Sequence, residues 1–316
     1  MKNIFSSKKE KRKISRREFI KTAGVLAGAA ATASFLPRLT GAETPPAAES
    51  FDLLVADGTD YPRLMAVALE QVGFPGTLLS PGGTVVIKPN AAWSRTPEQA
   101  ANTNPVLLTA LIKACQKAKA GRVLVVEHPC DNYKSAFRIN GIRKAAEDAG
   151  AEMIPLTEDD QFREVAIPRG KVLKKAAVGR KILAADCYIN FPIAKVHGAA
   201  KLTMAMKNHM GAVRDRWFFH RNDLHQCIAD ISSYLRPDLT ILDCTRILTT
   251  RGPKGPGKVT TLNRIVAGYD QVAIDSYGTT LFDMEPGDIG YLRAARKMAL
   301  GATDLSRLTI KKISVG

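Results

Sequence analysis

The sequence predicts an α/β fold in which a mostly parallel sheet carries helices on both faces. Short apolar or β-branched runs, which are typical of buried strands, alternate along the chain with helical segments of about a dozen residues. This alternation indicates consecutive βαβ units, whose crossovers place helices on the two faces of a parallel sheet. No internal repeat of the kind that builds a solenoid is visible.

The strands are predicted from these runs and from the residues that close them. Thr84–Ile87 is β-branched and is followed by Pro89 and Asn90, as expected of a buried strand that enters a loop. The predicted strands and extended segments are Phe51–Ala56, Thr84–Ile87, Arg122–Glu127, Met153–Leu156, Asp186–Phe191, Leu239–Asp243 and Val259–Ala267.

The helices are predicted from apolar periodicity and from capping residues. Asn104 is a favourable N-cap and Pro105 suits the first helical position, so a helix should begin there. Gly150 and Gly211 are placed where helices end. The predicted helices are Tyr61–Val72, Pro105–Ala118, Ser135–Ala149, Ala199–Met210, Leu224–Leu235, Gln271–Phe282 and Ile289–Ala299.

The N-terminus has the features of a twin-arginine export signal. Ser15–Lys21 contains the two adjacent arginines, and the apolar run Ala23–Leu36 leads to a small-residue stretch that ends at Ala42. The alternative is a chance Arg-Arg pair before a membrane anchor, but the run is short and rich in alanine for a membrane span. This kind of signal is known for carrying proteins that are already folded, often with a cofactor in place.

These features predict three segments. Residues 1–42 form the signal peptide, with a cleavage site after Ala42, residues 43–50 form a Pro/Ala-rich spacer, and residues 51–316 form the α/β domain. We therefore predict a periplasmic protein whose partner during export is the Tat translocase. No later apolar run is long enough to cross a membrane, so the mature form is not expected to span one.

The charge distribution argues against a nucleic-acid partner. Residues 1–42 hold ten lysines and arginines against two acidic residues, which is half of the net charge of +16. The remainder lacks basic runs interleaved with aromatic residues.

The five cysteines are not spaced for a metal cluster. None of them forms a C-x-x-C pair, so neither a ferredoxin-type iron–sulfur cluster nor a zinc ribbon is encoded. Cys187 and Cys244 both follow an aspartate near a strand end, and they are the pair to test for a disulfide in an oxidising compartment. Isolated buried thiols are the alternative.

Polar residues gather where predicted strands end, which is where ligands bind in open parallel sheets. They are Lys88, Asn90, Glu127, His128, Lys195, His197, Asp243 and Arg251. On the predicted helix Ala199–Met210, Lys201 and Asn208 share one face, with Lys207 nearby. This row either faces a ligand or consists of solvated lysines above a Met-lined core.

The histidine and carboxylate residues are compatible with a divalent metal site. His197, His209 and His220 lie close in sequence to Asp215 and Asp223, and such side chains suit Zn, Ni or Fe. No H-x-H or H-x-x-x-H spacing is present, and ordinary hydrogen-bonded histidines are the alternative. The candidate metal ligands are Glu127, His197, His220 and Asp243.

Gly252–Lys258 matches the first seven positions of a P-loop but is not one. Val259 stands where Ser or Thr would hold magnesium, and two prolines remove N–H donors that a phosphate cradle needs. The segment is either a turn that presents Arg251 and Lys254 to an anion or a plain tight connection.

The ordered motifs resemble the DUF362 family from about Thr84 to Asp275. The residues that carry the resemblance are Val86–Asn90, Ala185–Asp186, Ile189–Pro192, Lys195–His197, Lys207–Asn208 with Gly211, Phe219–His220, Asp243 and Gly252–Gly257. Members of that family often carry an iron–sulfur module, whose cysteines this chain lacks. The resemblance therefore implies an exported, cluster-free member, and it implies no established activity.

The motif residues favour chemistry on an anion. The expected ligand-binding residues are Lys88, Asn90, Lys195, Lys207, Asn208 and Arg251, which supply positive charge and orienting amides. The expected catalytic residues are His197, His220 and Asp243, for proton transfer or metal ligation.

Signatures of a serine hydrolase and of a Rossmann oxidoreductase are missing. We predict an enzyme that acts on an anionic small molecule, with metal assistance left open. The alternative is a non-catalytic periplasmic module that binds an anion or a metal. A redox partner is a third and weaker reading.

Overall fold

A ten-stranded sheet organises residues 50–316, which are the residues that this computed structural model describes. The predicted signal peptide, its cleavage site and nearly all of the spacer lie outside the described residues. The strands of the sheet are β1 (Leu53–Asp57), β2 (Thr84–Pro89), β3 (Arg122–Glu127), β4 (Glu152–Pro155), β7 (Cys187–Phe191), β8 (Ile193–His197), β9 (Lys201–Thr203), β10 (Leu239–Leu248), β11 (Val259–Gly268) and β12 (Ile310–Ser314). Strands β5 (Phe162–Ala166) and β6 (Lys175–Gly179) pair separately.

The sheet is mostly parallel, as predicted. Its order is β12-β1-β11-β10-β7-β2-β3-β4, and β8 lies against β10 and pairs with β9. Strands β10, β7, β2, β3 and β4 are parallel to one another, and β12 is parallel to β1. Strand β11 is antiparallel to both of its neighbours.

Helices cover both faces of the sheet. They are α1 (Tyr61–Gln71), α2 (Pro105–Lys117), α3 (Tyr133–Ile139), α4 (Ile142–Asp148), α5 (Arg180–Leu183), α6 (Ala205–Asn208), α7 (Trp217–Arg221), α8 (Leu224–Tyr234), α9 (Gln271–Thr279) and α10 (Gly290–Lys297). Helices α1 to α4 supply the apolar core on one face, and α6 to α10 supply most of the core on the other.

The alternation of side chains along β2 places Lys88 on the face of the sheet that α6 to α10 cover. Val85 and Ile87 of β2 belong to the core with α1 to α4, whereas Val86 belongs to the opposite core. Because side chains alternate along a strand, Lys88 follows Val86 onto the α6 to α10 side. Asn190 of β7 lies beside Lys88 in the parallel register.

The predicted helix Ala199–Met210 is wrong. Lys201–Thr203 forms β9, which pairs antiparallel with β8, and Lys201 has a left-handed φ of 61°. Only Ala205–Asn208 is α-helical, and a 3₁₀ turn follows at His209–Ala212. Lys201 and Asn208 therefore share no helical face, because pairing with β8 determines the conformation of this segment.

Other differences also have local causes. The predicted helix Ser135–Ala149 divides into α3 and α4 at Gly141, whose φ is 75°. Strand β8 begins two residues after the predicted strand end at Phe191, and neither it nor β5, β6 and β12 was predicted. All five cysteines are free thiols, so the disulfide considered for Cys187 and Cys244 is not formed.

Candidate functional site

A cavity of about 570 Å³ opens beyond the ends of β2, β3 and β8. Its volume lies within the range of small-molecule sites. Most of the predicted site residues line it, namely Lys88, Asn90, Glu127, Lys195, His197, Lys207, Asn208 and His220.

Lys88 and Glu127 form a buried ion pair in the cavity. Lys88 Nζ donates to Glu127 Oε2 at 3.1 Å and to the Pro89 carbonyl at 2.9 Å, and Glu127 Oε2 also accepts from the Ala91 N–H. Burial lowers the pKa of Lys88 and raises the pKa of Glu127, while their mutual attraction opposes both shifts. Glu127 Oε1 is buried and has no hydrogen-bond partner within residues 50–316.

Gly211 makes room for this ion pair. A Cβ at residue 211 would overlap Glu127 Oε1 and lie 2.8 Å from Lys88 Nζ. The backbone is also fixed here, because the Gly211 carbonyl accepts from the His128 N–H at 2.8 Å. Glycine is therefore required by the close approach of the glutamate.

A chain of amides orients the lysines. Asn208 Nδ2 donates to Asn190 Oδ1 at 2.8 Å, and Asn208 Oδ1 accepts from both Lys88 Nζ and Asn90 Nδ2 at 3.2 Å. Asn90 Oδ1 in turn accepts from Lys195 Nζ at 3.1 Å. These bonds assign the amide orientations and link three segments that are distant in sequence.

Asp275 of α9 holds the short helix that carries Lys207 and Asn208. Its two carboxylate oxygens accept from the N–H groups of Ala205 and Met206 at 2.6 and 2.9 Å. Both bonds satisfy donors in the first turn of α6.

Lys195 and Lys207 are buried lysines with different partners. Lys195 Nζ donates to Asn90 Oδ1 and to the Ala101 carbonyl, and burial lowers its pKa to about 7. The partner of Lys207 Nζ within residues 50–316 is Met210 Sδ at 3.4 Å, and burial lowers its pKa to about 8. A thioether is a weak acceptor, so the Lys207 ammonium lacks an oxygen partner.

His197 is held as a neutral N–H donor. Its Nδ1 accepts from the N–H groups of Ala199 and Ala200, both at 3.1 Å, which leaves the proton on Nε2. Burial, with added repulsion from Lys207 and Lys195, lowers its pKa to about 3. A neutral histidine binds a metal through its unprotonated nitrogen, which is already occupied here. His197 therefore suits an anion better than a cation.

The loop residues at the cavity were not predicted. Arg216 donates to the carbonyls of His128 and Pro129 and to Cys130 Sγ, and His220 lies 6.0 Å from Trp217 between ring centres. The unpredicted lining residues are Ala92, Trp93, Cys130, Thr203, Met210, Gly211, Arg216, Trp217 and Pro253. One signal was available, since the chain contains two tryptophans and both lie here.

Two predicted site residues do not line the cavity. Asp243 lies inside β10, which continues to Leu248, and its carboxylate accepts from the Asn104 N–H and from Thr245. Asp243 thus anchors the loop whose Ala101 carbonyl accepts from Lys195. Arg251 is exposed, with a left-handed φ of 56°, although Pro253 of the same turn reaches the cavity.

Metal ligands are not grouped in the described residues. Within 50–316, no three His, Cys, Asp or Glu side chains are arranged to hold a metal ion. Of the four candidate ligands, Glu127, His197 and His220 line the cavity and Asp243 does not.

The fold and cavity define an α/β protein with a lysine-rich site at the ends of parallel strands. Residues 85–280 match the model of the family described as "Domain of unknown function (DUF362)", and the chain belongs to this family. Residues 13–33 match the twin-arginine translocation signal, so the protein is exported by that pathway. None of the described helices is long and apolar enough to cross a membrane.

One curated protein and two solved structures illustrate what this chain is similar to. A thylakoid-associated protein of Synechocystis sp. is 25% identical in an alignment of 272 residues that covers 81% of this chain and 81% of that protein. The lactate racemase apoprotein from Thermoanaerobacterium thermosaccharolyticum gives a TM-score of 0.47 at 13% identity, over 72% of this chain and 56% of that chain. A Thermotoga maritima structural-genomics target gives 0.41 at 9% identity, over 75% of this chain and 58% of that chain. This chain thus matches little more than half the length of either solved structure.

Proposed function

We propose that this DUF362 protein is a periplasmic enzyme that binds a small monocarboxylate at Lys207 and transfers a proton through Lys195. The observation that carries the proposal is Lys207, a residue that is 8% exposed and whose ammonium has no oxygen acceptor in the described residues. A buried charge without a partner is costly, and an anionic ligand would supply that partner.

The hydrogen-bond partners of the cavity cations favour a single anchor for a carboxylate. Lys88 is paired with Glu127, and Arg216 already donates to two backbone carbonyls. Lys207 is therefore the cation that remains for a ligand, and the His197 Nε2–H can donate beside it. A bound carboxylate would raise the pKa of Lys207, so binding above about pH 8 should take up a proton.

Lys195 has the properties of a general base. With a pKa of about 7, much of it is an uncharged amine at neutral pH. The neutral amine can donate its two hydrogens to Asn90 Oδ1 and the Ala101 carbonyl and keep its lone pair for a proton. The reaction class that follows is removal of a proton from the carbon next to the carboxylate. The electron pair stays on the ligand until a proton returns.

The test combines exchange and binding. Exported protein in D₂O is incubated with short carboxylates that carry a hydrogen on the carbon next to the carboxyl group. Exchange of this hydrogen for deuterium is followed as the loss of its proton NMR signal. We expect Lys195→Met to reduce exchange by about 100-fold or more, with little change in affinity. We expect Lys207→Met to weaken binding by about 10-fold or more. Lys113→Met, on the exposed side of α2, is the matched control.

The outcomes separate two functions. Binding that depends on Lys207 without exchange of any carboxylate would identify a non-catalytic binding module. Carboxylate binding that is absent, or indifferent to Lys207→Met, would contradict the proposal as a whole.

A further inference from the structure

Both tryptophans of the chain, Trp93 and Trp217, line the same cavity. The Trp217 side chain is 70% exposed, against 53% for Tyr269 and 48% for Val106, the other exposed large hydrophobic residues of the described chain. A large aromatic side chain left in water at the mouth of a cavity is a contact surface for a ligand.

The cavity has a charged floor and an aromatic mouth. Lys88 and Lys195 are fully buried and Lys207 is 8% exposed, so the three lysines lie deep, whereas Arg216 of the same lining is partly exposed. Trp93 and Trp217 are partly and largely exposed, and they lie in or follow loops beyond the strands. A ligand that reaches Lys207 with a carboxylate therefore has its remaining body beside the two indoles.

Trp93 is held in place before any ligand binds. Its N–H donates to Asn102 Oδ1, and its carbonyl accepts from Asn102 Nδ2, both at 3.0 Å. Lys254 Nζ lies 5.5 Å from the centre of the Trp93 ring and is paired with Asp131. Trp93 therefore loses little conformational freedom on binding.

The indoles determine which shape of ligand the cavity favours. A flat ring packs against an indole through edge or face contacts, which add free energy beyond the area that they bury. Ala92, Met210 and Pro253 add apolar side chains to a lining that also contains Thr203, Arg216 and His220.

We infer that the ligand is an aromatic monocarboxylate, whose carboxylate binds at Lys207 and whose ring packs against Trp93 and Trp217. This inference rests on the proposed function, because it uses Lys207 as the carboxylate anchor. It adds the substrate class, with the two tryptophans as the residues that determine specificity.

Tryptophan fluorescence tests the inference directly, because both emitting indoles are in the site. Exported protein is titrated with acetate, with phenylacetate and with 2-phenylethanol, which has the ring without the carboxylate. We expect phenylacetate to bind about 10-fold more tightly than acetate and to change the emission. In Trp217→Ala the ratio of phenylacetate affinity to acetate affinity should fall toward 1. The acetate affinity, measured by calorimetry, should stay the same. Val106→Ala is the matched control, since it removes an exposed apolar side chain of α2.

Each result decides between the two proposals. If acetate binding depends on Lys207 but phenylacetate is not preferred, or the preference survives in both Trp217→Ala and Trp93→Ala, the aromatic class is wrong and the carboxylate site stands. If 2-phenylethanol binds as tightly as phenylacetate, the anchor at Lys207 is wrong. If neither acid binds, both proposals fail.

Discussion

Replacing Lys207 by methionine should make the protein more stable and should weaken ligand binding by about 10-fold or more. Lys207 is buried and its ammonium has no oxygen acceptor within residues 50–316, and its pKa is about 8 instead of the ordinary 10.5. At about 1.4 kcal/mol for each factor of ten, this difference corresponds to about 3 kcal/mol of destabilisation of the charged form. Methionine has a similar length and no charge, so the variant should recover much of that free energy at pH 7.

The sign of the pH dependence follows from proton linkage. Between about pH 8 and 10.5 the unfolded chain keeps the Lys207 proton and the folded chain has lost it, so the contribution of Lys207 to stability rises with pH. The penalty is therefore fully present below about pH 8 and disappears toward pH 10.5. The advantage of Lys207→Met over the wild type should shrink over the same window.

Urea unfolding at pH 7 and at pH 10, for the wild type, Lys207→Met and the control Lys113→Met, measures this effect. A variant that is less stable than the wild type at pH 7, by a margin that does not change with pH, would refute the reasoning. That result would mean that the ammonium has a partner in the folded protein and is not held open for a ligand.

Two further changes test the supports of the site. Gly211→Ala places a methyl group against Glu127 Oε1, so we expect the free energy of unfolding in urea to fall by roughly 1–3 kcal/mol. Gly198→Ala is the control, because a Cβ there meets no atom within 4 Å and should leave the stability unchanged. Equal stabilities of the two variants would contradict the close packing at Gly211. Burial raises the pKa of Asp275 from 3.8 to about 7, so between these pH values the folded state holds a proton that the unfolded chain has released. The free energy of unfolding should therefore fall by about 4 kcal/mol as the pH rises from 3.8 to about 7. Asp275→Asn should lack this decline, and the same pH slope in both proteins would count against the raised pKa of Asp275.

Elements with strong local signals were predicted well. Strand β2 follows from a β-branched run with a proline at its end, and helix α2 begins at the Asn104–Pro105 signal as expected. In α2 the Asn104 side chain accepts from the Val106 N–H, which is the local bond that the sequence implies. Such elements depend on neighbouring residues, so a single sequence is sufficient to find them.

The segment from His197 to Gly211 was not predictable in this way. Its apolar residues fit a helical pattern, but β8 and β9 pair instead, and this pairing depends on the place of β8 beside β10. Asp243 was misplaced for a related reason, because pairing with β11 extends β10 beyond the expected end. Pairing partners far apart in sequence decide both cases.

By itself, the sequence determined the export route, the α/β class and most of the polar residues that collect at one edge of the sheet, because these follow from short motifs and from the alternation of strands and helices. Only the tertiary structure decided which of the collected cations is free. Lys88 is paired with Glu127, Lys195 with Asn90, and Lys207 with no oxygen acceptor in the described residues. The pKa and the role of each lysine depend on burial and on partners from separate segments, and these are brought together only by folding.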